Sequence, residues 1–503
     1  MAKWLLPVLA TSALHAAIIR GMVVEHQSGK PLARALVVVQ PVAGTQGPMQ
    51  AVRTSVYGTF EFAPMPGGAY LVTASRRGFA TVEYGQKQWR SAGVPIVLEE
   101  AASTALNIRL PRFGAIAGTV LDENSVGLPE HDVVIYRNTR PPQVVARGKT
   151  DDRGMYRIWG LEPGTYLVRT VGKQYEEGGS LPTFHRETSR VEEAFTVDVD
   201  LDRDTGEINV RPFTGRLFTV AGKALAFPQS GVTVTLVSDT GTETTMSDGS
   251  GNFQFNPVAP GQYELYAQAA GDSRTPMTAA YQPLDLDRDR GDLRLNLARL
   301  PDVVFSFEET NGKAVDARSL QVLARRKDLS GDEKPEVVRL TNNHASMLPG
   351  RWDLALAPTP GYYAARFTGP PPQFRVRADG WNEVTVTAPA PVPSAIQFVL
   401  SSRPGAVHGT VTGPGRDPVA GAPVYLEAYD LEARRRLNDV RTTRTDLRGQ
   451  FHFYGLAPGN YRAVSSFEFQ APDSAALDTM RPATVKVDEG QDAAQDLDLY
   501  VIQ

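Results

Sequence analysis

The stretch Thr150 to Val168, TDDRGMYRIWGLEPGTYLV, decides the fold. Asp151 and Gly154 make a leading turn, since an Asp side chain accepts from backbone amides ahead of it and Gly takes a positive φ. Tyr156 and Ile158 share one face of a strand, because successive side chains alternate. Pro163-Gly164 supplies the next turn, Pro fixing φ and Gly allowing the left-handed position. Tyr166 and Val168 share a face of the return strand. The unit is a β-hairpin with one apolar face.

The unit recurs. Ser55 to Val72 reads SVYGTFEFAPMPGGAYLV, Ser247 to Leu265 reads SDGSGNFQFNPVAPGQYEL, and Thr445 to Ala463 reads TDLRGQFHFYGLAPGNYRA. The return-strand tyrosines Tyr70, Tyr166 and Tyr263 are spaced by roughly a hundred residues, the size of a self-sufficient small domain. Tyr461 follows after about twice that step. A contracted copy fills the gap at Met347 to Leu354, MLPGRWDL. The chain therefore divides into a leader at 1–17 and repeats at 18–111, 112–211, 212–299, 300–403 and 404–503, the fourth degenerate.

Gly 45 and Pro 37 sit at turn positions rather than in tracts, so the 503 residues read as turn-rich β structure, not disorder. Net charge is −4, with acids and bases well mixed, which speaks against a nucleic-acid partner. The basic run Arg434 to Arg436 reads as a solvated loop. Lys3, the apolar run Trp4 to Leu14 and the small residues to Ala17 follow the order of a secretory leader. No other apolar stretch approaches the ~18 residues of a membrane span. Zero Cys excludes disulfides and thiolate chemistry. The expected location is exported: periplasmic, cell-surface or secreted.

Each repeat offers about seven short strands with turns between, the signature of a Greek-key β-sandwich. Ile19 to Val24, Ile116 to Val120, Leu217 to Val220, Val303 to Phe307 and Val407 to Val411 open the repeats. Helical periodicity is nearly absent, with one turn expected at Asp430 to Leu437.

Repeat 5 carries a fuller pattern: Gly409-Thr410-Val411, Pro418 with Ala422 and Val424, Thr445-Asp446 with Gly449, Phe451 and Phe453, then Leu456, Pro458-Gly459 and Tyr461. This order resembles the carboxypeptidase regulatory-like domain, a transthyretin-like or starch-binding-like sandwich. Repeats 1 to 3 share it well and repeat 4 poorly. The resemblance implies an all-β tandem array of about five seven-stranded sandwiches, and transfers no activity.

No H-x-x-E, H-E-x-x-H, G-x-S-x-G or P-loop occurs, so no catalytic residues are assigned. Two sets of residues are candidates for binding. Asp200, Asp202 and Asp204, and Asp285, Asp287 and Asp289, alternate along equivalent stretches and offer hard oxygen ligands to Ca²⁺. Interleaved Arg203 and Arg288 oppose a cation, and a polar hairpin is the competing reading. Trp89, Trp159, Tyr175, Tyr362, Tyr363 and Trp381 fall in arms or opposite the core-facing series. Flat rings there suit sugar stacking, against packing under the arms as the alternative. A Lys–Asn crosslink is set aside because the expected first strands lack Lys.

The expectation is a non-catalytic exported array that binds or spaces in the cell envelope. Its partner would be a polysaccharide or an envelope protein, with no cofactor beyond Ca²⁺. A sugar-binding protein and a calcium-stiffened adhesin are the alternatives. Short connections such as Leu110-Pro111 and Leu300-Pro301 favour a stiff or compact array.

Overall fold

The computed structural model describes residues 17–501 except 43, 88, 140–141, 176–177, 226–230, 272–276, 327–334, 370–379, 389–393, 430–439, 470–471 and 473. The leader up to Ala16, Arg434 to Arg436 and the turn expected at Asp430 to Leu437 lie outside the described residues. Ala17 belongs to the first repeat, being buried with its N–H donating to the Met65 carbonyl (2.7 Å).

Repeat 1 contains β1 (Ile18–Glu25), β2 (Leu36–Pro41), β3 (Gln50–Arg53), β4 (Thr59–Glu61), β5 (Gly68–Ser75), β6 (Val82–Glu83), β7 (Ile96–Leu98) and β8 (Ser103–Leu110). One sheet runs β4-β1-β8; the other runs β3-β2-β5-β6, with β7 also on β5. Ile19, Val37, Val39, Tyr70, Val72 and Ile108 fill the space between. Each such side chain removed from water contributes about 1.5–3 kcal/mol. The same two-sheet plan follows four more times among the described residues. In every repeat the first and closing strands pair in parallel: β1 with β8, Gly114–Thr119 with Asp204–Thr205, Val220–Leu225 with Arg290–Asn296, Asp302–Glu309 with Ser394–Ser401, and Gly405–Thr412 with Asp492–Ala494.

The recurring residues now have physical roles. The Asp151 Oδ1 accepts from the N–H groups of Arg153 (2.9 Å) and Met155 (2.8 Å), and Asp248 and Asp446 hold their turns alike. The tyrosine hydroxyls of the return strands each donate to the carbonyl four residues back: Tyr70 to Pro66 (3.0 Å), Tyr166 to Glu162 (2.6 Å), Tyr263 to Ala259 (2.9 Å) and Tyr461 to Ala457 (2.8 Å). That bond closes the Pro-Gly turn.

Repeat 4 keeps each device with different chemistry. Trp352 Nε1 donates to the Leu348 carbonyl (2.9 Å), replacing the tyrosine hydroxyl. Asn343 (φ 66°) takes the left-handed place held by Gly154 (φ 75°) and Gly449 (φ 73°), a conformation Asn tolerates better than most residues. The third exchange is steric. Gly21, Gly118, Gly222 and Gly409 on the first strands stand opposite Phe60, Tyr156, Phe253 and Phe451. A Cβ on Gly409 would lie 2.0 Å from the Gln495 carbonyl oxygen, and one on Gly21 would lie 2.9 Å from the Phe60 ring. In repeat 4 the pair is Val303 and Ala345, the bulk having changed strands.

Three sequence expectations are corrected. The first strand of repeat 3 is Val220–Leu225, not Leu217 to Val220, so it does contain a lysine, Lys223. Lys223 is exposed opposite Asn252, and the neighbouring Asp248 carboxyl is held low by hydrogen bonds from Asn252. Crosslinking needs a desolvated amine and a protonated acid, which this solvated site does not supply. In repeat 4 the second strand is Val322–Arg326, starting two residues later than the apolar run Leu320 to Leu323 suggests. A helix, Ser474–Thr479, also sits on repeat 5. It is held by the fully buried Arg462, which binds Glu427 (2.7 Å), the Ser474 carbonyl (3.0 Å) and Asp478.

Neighbouring repeats touch. His26 pairs with Asp202 (2.8 Å), Leu181 N–H donates to Phe213 (2.7 Å) and Gly490 N–H to Arg403 (2.9 Å), while Arg351 bonds Glu264 (2.9 Å). The ends meet as well. Ser91, in the arm of repeat 1, pairs with Phe469 of repeat 5, and Ala92 N–H donates to the Glu468 carbonyl. Contacts thus run from each repeat to the next and from the last back to the first.

The Val303–Ala345 exchange makes a quantitative test. Ala345→Phe alone should destabilise repeat 4 by overpacking, by roughly 1–3 kcal/mol. Adding Val303→Gly should recover part of that loss, with a coupling of about 1 kcal/mol in urea unfolding. Additive losses would contradict the steric account.

Candidate ligand cleft

The six aromatic candidates fall in four separate places. Trp159 stands exposed on strand Met155–Leu161, on the outer side of its sheet. Trp89 is half-buried at the junction of repeats 1 and 2, its ring edge-on to Phe113 at 6.1 Å. Next to it Arg90 pairs with Glu162 (2.7 Å). Tyr175 lies parallel to His131, ring centroids 6.0 Å apart, and the two share a hydrogen bond.

Tyr362, Tyr363 and Trp381 come together. They line a cavity of about 250 Å³ between repeats 4 and 5, with Arg441, Leu456 and Tyr461 on the other side. The expectation that Trp381 is exposed is corrected: it is only 6% exposed. The Arg325 guanidinium covers its ring at 4.0 Å, itself tied to the buried Asp353 carboxylate (3.4 Å). Tyr362 and Tyr363 are half-buried, their hydroxyls donating to Glu309 (3.3 Å) and Glu489 (3.1 Å). Ser401 also donates to Glu489 (2.6 Å), and these two bonds hold that carboxyl below its usual range. Arg441 enters the cleft from strand Arg441–Arg444, which pairs with Pro423–Ala428. Its guanidinium donates to the Tyr454 carbonyl (2.7 Å) and lies 5.7 Å from the Phe453 ring centre. Burial lowers its pKa. Sequence reading did not single it out, because its partners arrive from other strands.

Most of the aspartates face donors, and Asp202 does so at the junction of repeats 1 and 2. Asp202 accepts from Arg112 N–H (2.6 Å) and pairs with His26 of repeat 1 (2.8 Å). Asp204 takes a two-pronged bond from Arg157 (2.8 and 3.0 Å). Asp289 accepts from Thr219 N–H (2.8 Å) and from Arg216. Asp200 is exposed with Arg203 at 3.9 Å, and Asp287 has Arg288 at 3.5 Å. Asp285 ends on strand Thr278–Leu286, opposite Gln262. Among the described residues, no group of three His, Asp or Glu side chains is set to hold a metal ion. Cationic and N–H donors occupy the places where a cation would seek oxygens.

The histidines are likewise spread out. His344 bonds Asp302 (2.6 Å), and His408 bonds Asp492 (2.8 Å) opposite His452. Among the described histidines His131 alone is fully buried, and burial, with Lys173 nearby, pushes its pKa down to about 4.

Residues 18–111 match the carboxypeptidase regulatory-like domain, and residues 213–272 match the second β-sandwich domain of the BOS complex subunit NOMO1-like family. No curated protein matches the chain. Among solved structures, the Bacillus anthracis TIE protein is 14% identical over 56% of this chain and 51% of its own, with a TM-score of 0.18. This chain thus spans about half the length of that protein. The minor pilin GBS52 of Streptococcus agalactiae is 12% identical over 39% and 95%, with a TM-score of 0.25. The major pilin BcpA of Bacillus cereus is 12% identical over 77% and 99%, with a TM-score of 0.16. No helix among the described residues is long and apolar enough to cross a membrane, which leaves strands unaddressed.

The His131 environment predicts an acid-side weakness. Its folded pKa of about 4 lies below the ordinary 6.5, so the unfolded chain binds the extra proton between those values. Stability present above pH 6.5 is lost as pH falls toward 4, by about 3 kcal/mol in full. His131→Gln keeps a partner for Tyr175 and should flatten that slope. An unchanged unfolding profile over this window would count against it.

Proposed function

We propose that this chain is a non-catalytic, exported array of the cell envelope whose work is binding. Carbohydrate is the ligand class and the cleft between repeats 4 and 5 is its site. The observation that carries this reading is the convergence of Tyr362, Tyr363 and Trp381 on one cavity. Flat aromatic faces with polar groups at the rim suit a sugar ring, and rigid sandwiches keep such a site formed before the ligand arrives. The leader-like N-terminus and the absence of Cys support export. A second reading, a structural scaffold, is favoured by the contacts that return from repeat 5 to repeat 1.

The test is a binding screen of the chain from about Ile18 against soluble and insoluble polysaccharides, with Ca²⁺ or with chelator. Saturable binding is expected, weakened about tenfold or more by Tyr362→Ala or Tyr363→Ala. Trp159→Ala should leave it intact. The same result is expected in both buffers, because the aspartates already face protein donors. Binding that follows Trp159 would move the site to repeat 2. Binding that needs Ca²⁺ would restore the calcium-stiffened adhesin. No binding across the panel would leave the scaffold reading.

A further inference from the structure

We infer that the cleft between repeats 4 and 5 selects a pyranose bearing a carboxylate, with Arg441 as the group that reads the acid. This rests on the carbohydrate reading above and adds the charge of the ligand.

Arg441 is the reason. It lines the cavity, yet among the described residues no carboxylate forms an ion pair with it. Among the described residues its single hydrogen bond goes to a neutral carbonyl. A desolvated cation without a counter-charge is costly to hold. Burial already draws its basicity down. Among the described residues the one carboxylate in the cavity wall, Glu427, is turned to the fully buried Arg462 (2.7 Å), which also binds Asp478. Glu309 and Glu489 accept from the tyrosine hydroxyls and do not line the cavity.

Three properties then define the ligand. The guanidinium is a planar fork that matches a carboxylate with two parallel bonds. Tyr362 and Tyr363, both in the cavity lining, offer rings for a sugar to stack on. The volume of about 250 Å³ falls just below the usual ~300–1,000 Å³ of ligand pockets, which suits one ring rather than an extended chain. A hexuronate unit, at the end of a glycan or alone, meets all three.

The experiment is calorimetric titration of the full chain with methyl glucuronide, methyl glucoside and methyl glucoside 6-sulfate. The glucuronide should bind about tenfold or more tighter than the glucoside. Arg441→Gln should erase that preference, weakening the glucuronide far more than the glucoside, and Arg441→Lys should restore part of it. The melting midpoint of Arg441→Gln is measured alongside, so that a loss of binding is not read from an unfolded variant. Equal binding of glucuronide and glucoside, or a preference that survives Arg441→Gln, would overturn the inference and leave the carbohydrate reading standing. Sulfate binding as tight as the glucuronide would overturn the carboxylate assignment. If neither the glucuronide nor the glucoside binds, the carbohydrate reading fails and the inference fails with it.

Discussion

The closing strand of each repeat lies in parallel against the first, so near that in four repeats a methyl group on one first-strand residue would meet a backbone carbonyl or a facing ring. Much of the sandwich follows from that approach. The glycine admits the strand, and the aromatic opposite fills the space that the missing side chain leaves. The aromatic strand leads into the Pro-Gly turn, and the tyrosine hydroxyl fastens that turn four residues back. Sheet pairing, core and hairpin are thus one linked arrangement. Repeat 4 tests this from within. Val303 and Ala345 exchange the bulk, Asn343 supplies the left-handed residue and Trp352 supplies the donor. The topology persists because each substitution preserves the physical role while changing the residue.

This explains what was legible in the sequence. Turn chemistry and strand alternation are local, so the hairpins of repeats 1, 2, 3 and 5 could be read from the letters alone. Repeat 4 looked degenerate only because its roles are filled by unfamiliar residues. The misplaced first strand of repeat 3 had a local cause: Leu217 and Phe218 are apolar, yet Phe218 only bridges Val258 ahead of the strand proper. The helix Ser474–Thr479 gave no periodic signal, being short and held by Arg462 from another strand. The site was half legible. Aromatic content pointed to Tyr362, Tyr363 and Trp381, but their convergence depends on how two repeats meet. Arg441, Arg325 over Trp381, and the donors facing Asp202 and Asp289 all come from distant segments.

Backbone and charged bonds cross the junctions. Phe213 and Arg403 accept from backbone N–H groups across the boundaries. Asp202 and Arg351 add charged bonds between repeats. Such contacts set orientation more than they add stability, because exposed pairs contribute little. They nevertheless fix how repeats 4 and 5 face each other, and the cleft exists only in that orientation. Binding there would join two sandwiches that otherwise have separate cores.

Parallel pairing of first and closing strands has a mechanical meaning. Ile18 stands beside Ser103, and Glu25 beside Leu110, so the chain enters a repeat at one end of the ladder and leaves at the other. Tension along the polypeptide therefore loads these hydrogen bonds in shear, where they must yield together rather than one after another. The contact between Ser91 and Phe469 lies outside any such ladder. Under a pull on its ends the molecule would first release that contact and lengthen, with each sandwich intact. A protein anchored at one terminus and loaded at the other would thus have slack before it has damage.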